Sequence, residues 1–320
     1  MPMRFERFPD PPVHGETNTF SIVARDPKTG QMGVAVQSHY FSVGNTVTWG
    51  VPGMGIVATQ AFGGADLGPI IQDLLSNGYP AQKALDAGLK RLEGYEFRQA
   101  AVIDAQGNVA TYTGVKCTPE AGHVIGDNVS CQANVMANNK VWHAMKKAYE
   151  KSKGDMADRL VAALEGGQSV GGDLRGQMST ALLILSGQKQ PHFGMGRVLE
   201  LRVEEHPKPI DELKKLVSHN HAHNLLRQSR IMGMNGQFEE VAEAMRQALA
   251  IIPDQMEFKF YLAVGLFGAG QKAKGLKVFK EVFAEQPQWA DLVPRLVSRR
   301  MIPNDPAVIQ KIMEQRPKKG

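Results

Sequence analysis

Cysteine is nearly absent from this chain of 320 residues, which contains only Cys117 and Cys131. Two cysteines are too few for a disulfide framework, and they lack the spacing of paired metal ligands. Long apolar runs are missing as well, and residues 1–7 have no apolar core of the kind that a signal peptide needs. We therefore expect a cytoplasmic protein with two buried thiols.

A strong excess of either charge is also missing. Lys and Arg number 37 and Asp and Glu number 32, which gives a formal net charge of +5. Basic residues thicken only near Arg295, Arg299 and Arg300 and at the Lys318–Lys319 end, without the interleaved aromatic residues of a nucleic-acid surface. Motifs for zinc, nucleotide phosphates and dinucleotides are missing too. The sequence predicts no cofactor, no metal, no nucleic-acid partner and no membrane partner.

The first part of the chain alternates between strand-type and helix-type segments. Residues 1–18 are rich in proline and polar residues and are predicted to form an extended arm. The turn residues 26–30 join strands Thr19–Ala24 and Gly33–Gln37 in a hairpin. Further strands are predicted at Thr46–Trp49, Gly55–Ala61, Phe97–Asp104, Asn108–Thr113, Val129–Val135, Met178–Leu185 and Val198–Val203, and helices from Leu67, from Pro80, at Lys140–Lys151 and at Met156–Leu164. Because local hairpins dominate, this order predicts an α+β fold with antiparallel sheets.

An internal repeat marks the rest of the chain. Gly236 and Gly270 are 34 positions apart, as are Pro253 and Pro287. This is the tetratricopeptide period, with glycine between paired helices and proline after the second. The predicted helices are Leu225–Met234, Val241–Ile252, Phe258–Phe267 and Ala273–Phe283, with a cap at Leu292–Arg300. We predict a first domain at 19–217, helical repeats at 218–303 and a C-terminal tail at 304–320.

Three histidines lie in the predicted boundary region, residues 207–223. His219, His221 and His223 alternate, so they share one side of an extended segment but spread around a helix. A metal site and a polar interdomain linker are both compatible with this spacing, and we favour the linker.

The first domain contains a series of sequence motifs in a fixed order. The motifs are Thr19-Phe20-Ser21-Ile22-Val23-Ala24-Arg25-Asp26, Gly33-Val34-Ala35-Val36-Gln37-Ser38, Gly55-Ile56-Val57-Ala58-Thr59-Gln60-Ala61, Thr113-Gly114 with Cys117, Ala121-Gly122-His123, Gln132-Ala133-Asn134, Gly171-Gly172-Asp173-Leu174-Arg175-Gly176-Gln177-Met178-Ser179, and Leu201-Arg202-Val203 with His206-Pro207. Together these motifs resemble the bacterial domain-of-unknown-function family 1028, and the resemblance covers residues 19–217. It implies a four-layer αββα sandwich like that of the N-terminal-nucleophile (Ntn) hydrolases, in which two antiparallel sheets stack between helical layers.

The resemblance also implies a catalytic role for Thr19. In active members of the Ntn superfamily, the first residue of the mature chain attacks an amide carbonyl and its own α-amino group acts as the base. Thr19 opens the first strand, where the superfamily places that residue, but eighteen residues precede it, so its nitrogen is an amide. Either the chain is cleaved between Asn18 and Thr19, or Thr19 is an ordinary β-branched strand residue. The second strand lacks the Lys of proteasome-like members and ends in Ser38 and His39.

Two pairs of polar residues could serve such a site. Asp173 and Arg175 flank a glycine-rich turn, where Arg175 could hold a substrate carboxylate with Asp173 orienting it, or the pair could brace the loop. Gln132 and Asn134 alternate on one strand and share a face, where they could donate to an oxyanion or cap a sheet edge.

Single polar residues complete the predicted site. Ser38 ends the second strand, and Gln60 and Ser179 lie on strand-type runs, so all three are predicted to contact substrate. His123 follows a glycine in a predicted loop, where a locally hydrogen-bonded role competes with proton transfer.

Two functions follow as hypotheses. The first is an Ntn-type amide hydrolase acting on C–N bonds of a small amidated or peptide-like substrate, with Thr19 as nucleophile, Asn134 near the oxyanion and Arg175 on a carboxylate. The second is a non-catalytic Ntn-like binding module whose helical repeats recruit a protein partner. Since two repeats are few for independent stability, the array could pack on the first domain or a second subunit, and a homodimer would cover an exposed sheet edge.

Overall fold

The computed structural model describes residues 17–62, 64–192 and 194–317. The chain divides into two compact units, Met1–Lys215 and Leu216–Gly320. All strands of the described residues lie in the first unit, and the second unit is helical, which confirms the α+β expectation and the helical C-terminal region. Among the described helices, none combines the length and apolarity that crossing a membrane requires. The predicted N-terminal arm lies outside the described residues, apart from Thr17 and Asn18.

Ten strands in the described part of the first unit form two antiparallel sheets. The larger sheet has the order β10-β9-β2-β1-β8-β7, and the smaller sheet has the order β3-β4-β5-β6. The strands are β1 (Thr19–Arg25), β2 (Met32–Ser38), β3 (Thr48–Val51), β4 (Gly55–Ala61), β5 (Arg98–Asp104), β6 (Val109–Thr113), β7 (Gly122–Gly126), β8 (Val129–Ala133), β9 (Ser179–Leu185) and β10 (Arg197–Val203). The first predicted hairpin is β1–β2, and the second is β5–β6.

The turn between β1 and β2 sets the register that matters for the site. Asp26 Oδ1 accepts a hydrogen bond from the Lys28 amide at 2.7 Å, and Gly30 adopts a φ of 73°, which glycine tolerates best. The resulting register pairs Thr19 with Ser38. Thr19 therefore lies beside Ser38 at the end of the sheet.

The two sheets pack face to face through an apolar core. Val23, Val34 and Leu183 of the larger sheet pack against Ile56 and Ile103 of the smaller sheet, and all are nearly or fully buried. Burial of each such side chain stabilises the fold by roughly 1.5–3 kcal/mol. This core holds the inner faces of the sheets together.

Helices cover the outer faces of both sheets. The helices of the first unit are α1 (Gly44–Val47), α2 (Gly64–Ser76), α3 (Ala81–Leu89), α4 (Val141–Lys151) and α5 (Met156–Gln168). Leu67 of α2 and Leu85 of α3 pack on Val57 of the smaller sheet. On the larger sheet, α4 packs on β8 and α5 packs on β1 and β2. The layers therefore run helices, sheet, sheet, helices.

In the helical unit, helices that follow one another in the sequence pack together. The remaining helices are α6 (Pro209–Met234), which contains the boundary between the units, α7 (Phe238–Ile251), α8 (Met256–Gly268), α9 (Lys272–Glu285) and α10 (Pro306–Met313), with 3₁₀ turns at Pro287–Leu292 and Pro294–Arg299. Its core contains the aromatic side chains of Phe258, Phe260, Phe279 and Phe283. Gly236 and Gly270 lie between successive helices with φ of 79° and 80°.

The predicted C-terminal tail and boundary linker differ from the structure. Residues 306–313 form α10, because Asp305 caps the helix by accepting from the Ala307 amide and Ile312 is buried in the helical core. The predicted linker region is also largely helical, since α6 begins at Pro209. His219, His221 and His223 therefore lie on a helix.

Two local predictions in the first unit also need correction. His123 lies on the edge strand β7 instead of in a loop, because a short apolar run between Gly122 and Gly126 pairs with β8. The strand predicted at Thr46–Trp49 begins two residues later, since residues 44–47 form the short helix α1.

Candidate active site

Thr19 lies at the start of β1, on the face that points toward the smaller sheet. Its side chain is fully buried, and its hydroxyl oxygen lies 2.9 Å from the Thr17 carbonyl oxygen and 3.1 Å from Ser38 Oγ. A hydroxyl has one proton to donate, so these two acceptors compete for it. Thr17 and Asn18, which precede Thr19, are therefore held next to its side chain.

The peptide carbonyl of Asn18 receives two side-chain hydrogen bonds. Ser38 Oγ donates to this oxygen at 2.6 Å, and Arg175 Nη2 donates to it at 2.7 Å. The carbonyl belongs to the Asn18–Thr19 peptide bond, so the Thr19 hydroxyl lies on the next residue along the chain. Two donors on one carbonyl oxygen polarise it, as an oxyanion hole does.

Asp173 fixes the position of Arg175. Its carboxylate accepts from Arg175 Nε at 3.1 Å and from Arg175 Nη2 at 2.9 Å, in a two-point ion pair. The same carboxylate accepts from the backbone amides of Arg175 and His39. Because Asp173 is buried and holds four donors, it braces the turn and aims the guanidinium at Asn18.

A network of buried amide side chains lies between the sheets next to Thr19. Gln99 Nε2 donates to the backbone carbonyls of Gly122 at 3.2 Å and Ala133 at 3.0 Å. A carbonyl can only accept, so these contacts fix the orientation of the Gln99 amide. Its Oε1 then accepts from Gln60 Nε2 at 2.6 Å and from Asn134 Nδ2 at 3.0 Å.

This orientation decides which atom Asn134 can offer. One N–H of the Asn134 side chain donates to Gln99, and its fully buried Oδ1 has no hydrogen-bond partner among the residues described. Asn134 lies across from Thr19, since its backbone amide donates to the Thr19 carbonyl at 3.1 Å. The atom of Asn134 that lacks a partner is therefore an acceptor, and its role as a donor to an oxyanion stays a prediction.

Gln60 and Gln132 belong to the same buried network. Ser21 Oγ donates to Gln60 Oε1 at 2.5 Å and accepts from Gln132 Nε2 at 2.6 Å. Ser130 Oγ in turn donates to Gln132 Oε1 at 3.1 Å and lies 2.8 Å from Thr111 Oγ1. Gln132 and Asn134 do share the inner face, but Gln132 bonds within the network instead of contacting Thr19.

Ser179 and His123 form hydrogen bonds with groups other than the Asn18 carbonyl. Ser179 Oγ donates to the Tyr40 carbonyl and accepts from the Val43 amide at 3.1 Å, so it holds the loop after β2. His123 Nδ1 lies 2.8 Å from Thr113 Oγ1. Desolvation lowers the pKa of His123 below its ordinary value, which keeps the ring neutral.

A sizeable cavity in the first unit lies elsewhere. It has a volume of about 560 Å³ beside the edge strand β3, and its lining includes Trp49, Leu183 and Arg202. None of the predicted site residues lines it, among those the structure describes. The cluster around Thr19 is instead filled by protein, including Thr17 and Asn18.

Gln99, Ser21 and Thr17 were missed by reasoning from the sequence. Gln99 pairs directly with Gln60 across β4 and β5, but two helices separate these strands in the chain. The available signal was a polar glutamine at the start of an otherwise apolar strand. The register that brings it to Thr19 is non-local and cannot be read from spacing.

Comparison with known proteins identifies the family. A model of the Family of unknown function (DUF1028) matches residues 19–213, which is more than half of the chain. The chain belongs to this family. The crystal structure of protein SPO2555 from Silicibacter pomeroyi, which is described under the same family, is similar with a TM-score of 0.56 and 30% sequence identity. The similarity covers 63% of this chain and 88% of that one. No curated protein matches the chain.

DUF1028 membership confirms the resemblance seen in the sequence motifs. The matched span contains Thr19, Ser38, Gln99, Asn134 and Arg175. It begins at Thr19, so Thr17 and Asn18 lie ahead of the family's match. The family description names no activity, so the function has to be argued from the site.

Proposed function

We propose that this DUF1028 protein is an amide hydrolase of the Ntn type, with Thr19 as its nucleophile after release of residues 1–18. The observation that carries this proposal is the pair of hydrogen bonds from Ser38 and Arg175 to the Asn18 carbonyl oxygen. The face-to-face sheets between helical layers and the place of Thr19 at the start of β1 support an Ntn-like sandwich. In this proposal, the site binds the Asn18–Thr19 peptide bond in the way that it would bind the amide bond of a substrate.

The release step follows from the same contacts. Thr19 Oγ1 attacks the Asn18 carbonyl carbon, and the carbonyl oxygen becomes an oxyanion between Ser38 Oγ and the Arg175 guanidinium. The C–N bond then breaks, the Thr19 nitrogen gains the proton lost by the hydroxyl, and an ester joins Asn18 to Thr19 Oγ1. Water hydrolyses this ester, which leaves a carboxylate on Asn18 and a free α-amino group on Thr19.

The mature site uses these groups a second time. The α-amino group of Thr19 has an ordinary pKa of about 7.7–8.0, so it can accept the hydroxyl proton near neutral pH. Ser38 and Arg175 then stabilise the oxyanion formed from a substrate amide. The unused Oδ1 of Asn134 is a suitable acceptor for the α-ammonium group, since Asn134 lies across from Thr19.

Matched substitutions at Thr19 test this function. We expect wild-type protein to hydrolyse members of a panel of aryl amides, and Thr19→Ser to retain activity because it keeps a hydroxyl. Thr19→Val has the same shape without the nucleophile, so its activity should fall to background. Equal activity in wild type and Thr19→Val, with both folded by circular dichroism, would remove Thr19 from the mechanism.

We also propose that the helical unit is a tetratricopeptide-like array. Two glycines with positive φ separate successive helices at a 34-residue interval, and α7, α8 and α9 pack consecutively against one another. Such arrays bind protein segments, so the unit is a candidate surface for a protein partner. If the peptide bond between Asn18 and Thr19 stays intact, a non-catalytic role for the whole chain becomes the better account.

A further inference from the structure

Thr17 forms an isolated antiparallel β-bridge with Ala61 at the end of β4. The Thr17 amide donates to the Ala61 carbonyl at 2.9 Å, and the Ala61 amide donates to the Thr17 carbonyl at 3.0 Å. The Thr17 hydroxyl donates to the same Ala61 carbonyl at 3.0 Å, and Thr17 is only 2% exposed. The chain ahead of the scissile bond is therefore bound by backbone pairing.

Ala61 has a backbone conformation that suits this pairing and costs energy. Its φ is 67°, a left-handed value that is unfavourable for a residue with a Cβ. Such strain persists only where the surrounding structure enforces it, and it is concentrated at functional sites. At Ala61 it ends β4 and leaves both backbone groups turned to Thr17.

We propose that Ala61 is the recognition point for the acyl side of the substrate, which is an extended peptide-like chain. This inference rests on the proposed function, because it takes the Thr17–Asn18 segment as the model of a bound substrate. One substrate residue supplies the carbonyl that is attacked, as Asn18 does here. The residue before it, which corresponds to Thr17, pairs with Ala61 through its backbone N–H and C=O. Its side chain enters a buried space that fits a small residue, preferably Thr or Ser, because the hydroxyl of Thr17 reaches the Ala61 carbonyl.

The selectivity of this groove comes from the backbone. Asn18 supplies its carbonyl to Ser38 and Arg175, while its side chain is only partly buried. We therefore expect the site to tolerate different residues at the scissile carbonyl. It should reject substrates in which the residue before the scissile carbonyl residue lacks a backbone N–H, because the Ala61 carbonyl would lose its backbone donor.

Hydrogen exchange at the Ala61 amide tests the groove without requiring catalysis. The test uses the full chain with Thr19→Val, which cannot release its leading segment. In that background, Thr17→Pro removes the N–H that donates to the Ala61 carbonyl, while the Ala61 amide still donates to the carbonyl of residue 17. Because the segment is then held by one backbone hydrogen bond fewer, exchange of the Ala61 amide should become about five- to tenfold faster. Thr17→Val keeps the backbone N–H and serves as the matched control, with exchange near that of the parent.

A peptide then probes the groove in a Thr19→Val chain that begins at residue 19, the proposed mature form, where no leading segment occupies the site. Millimolar acetyl-Glu-Thr-Asn-amide should protect the Ala61 amide from exchange, whereas the same peptide with an N-methyl group on its Thr should not. If Thr17→Pro fails to fold, Thr17→Gly loosens the leading segment without a proline and replaces it in the first measurement.

The outcomes separate this inference from the proposed function. Equal effects of the two peptides, or no protection by either, would overturn the groove whether or not the wild-type chain cleaves amides. Protection by the first peptide alone supports the groove, even if the intact mass of the wild-type chain shows that it never releases residues 1–18. If residues 1–18 are never released, that result counts against the proposed hydrolase function and not against the groove.

Discussion

At the scale of single residues, the site depends on which atom each polar side chain is free to offer. Asp173 uses its carboxylate to fix Arg175, and Gln99 uses its amide to fix Asn134. Arg175 is thereby left with a donor for a carbonyl, and Asn134 with an acceptor. Their proposed roles follow from these neighbours, which the residue types alone do not reveal.

Arg175 should control the release of residues 1–18. Removing one donor from an oxyanion site slows reactions by roughly 10²–10³-fold, so we expect Arg175→Ala to slow release by about 100-fold or more. Arg175→Lys keeps a charge but loses the two-point contact with Asp173, so it should be intermediate. Arg246→Ala, in the helical unit, is the control. Release by Arg175→Ala at the wild-type rate, followed by mass spectrometry, would exclude this role.

Gln99 should be a large contributor to the stability of the first unit. Gln99→Leu removes the acceptor of Asn134 Nδ2 and one of the acceptors of Gln60 Nε2 in a buried site, which should cost about 2–4 kcal/mol in the free energy of unfolding. Gln82 is exposed on α3, and Gln82→Leu should change stability by less than about 0.5 kcal/mol. Urea unfolding measures both, and an equal effect of the two substitutions would contradict the buried network.

At the scale of elements, the strand register brings the site together. β1 pairs with β2 and β8, and β2 pairs with β9, so Thr19, Ser38 and Asn134 meet at one end of the larger sheet. The pairing of β4 with β5 adds Gln60 and Gln99 from the smaller sheet. The site is thus assembled from strands that are distant in the sequence.

Because α7 and α8 approach each other closely, position 265 should tolerate glycine but no residue with a Cβ. A Cβ at Gly265 would lie 2.6 Å from the backbone nitrogen of Ala242, so Gly265→Ala has to push the two helices apart. We expect a loss of roughly 1–3 kcal/mol in the stability of the helical unit. Gln247→Ala on the exposed face of α7 is the control, and thermal melting followed by circular dichroism compares them. An unchanged melting temperature for Gly265→Ala would contradict this packing.

The sequence predicted local elements better than contacts between distant elements. The β1–β2 hairpin and the glycines of the helical pairs follow from turn chemistry and a repeat that lie within short stretches of chain. The edge strand β7 and helix α10 were missed because each is short and gains its stability from packing, as buried Ile312 shows for α10. Gln99 was missed because α2 and α3 separate its strand, β5, from β4, which carries its partner Gln60.

At the scale of the whole molecule, the first unit carries the proposed chemistry and the second unit carries a proposed binding surface. The candidate site residues all lie before Lys215, in the unit that contains the DUF1028 match. The Thr17–Asn18 segment occupies this site in the intact chain. Activity on external amides therefore requires release of that segment.

The intact mass of the purified, active protein tests this account most directly. We predict a chain that begins at Thr19, with N-terminal sequencing that reads Thr-Phe-Ser, and a Thr19→Val variant that keeps its leading residues. A preparation that hydrolyses amides while every chain still carries residues ahead of Thr19 would contradict the central claim that Thr19 acts as an N-terminal nucleophile.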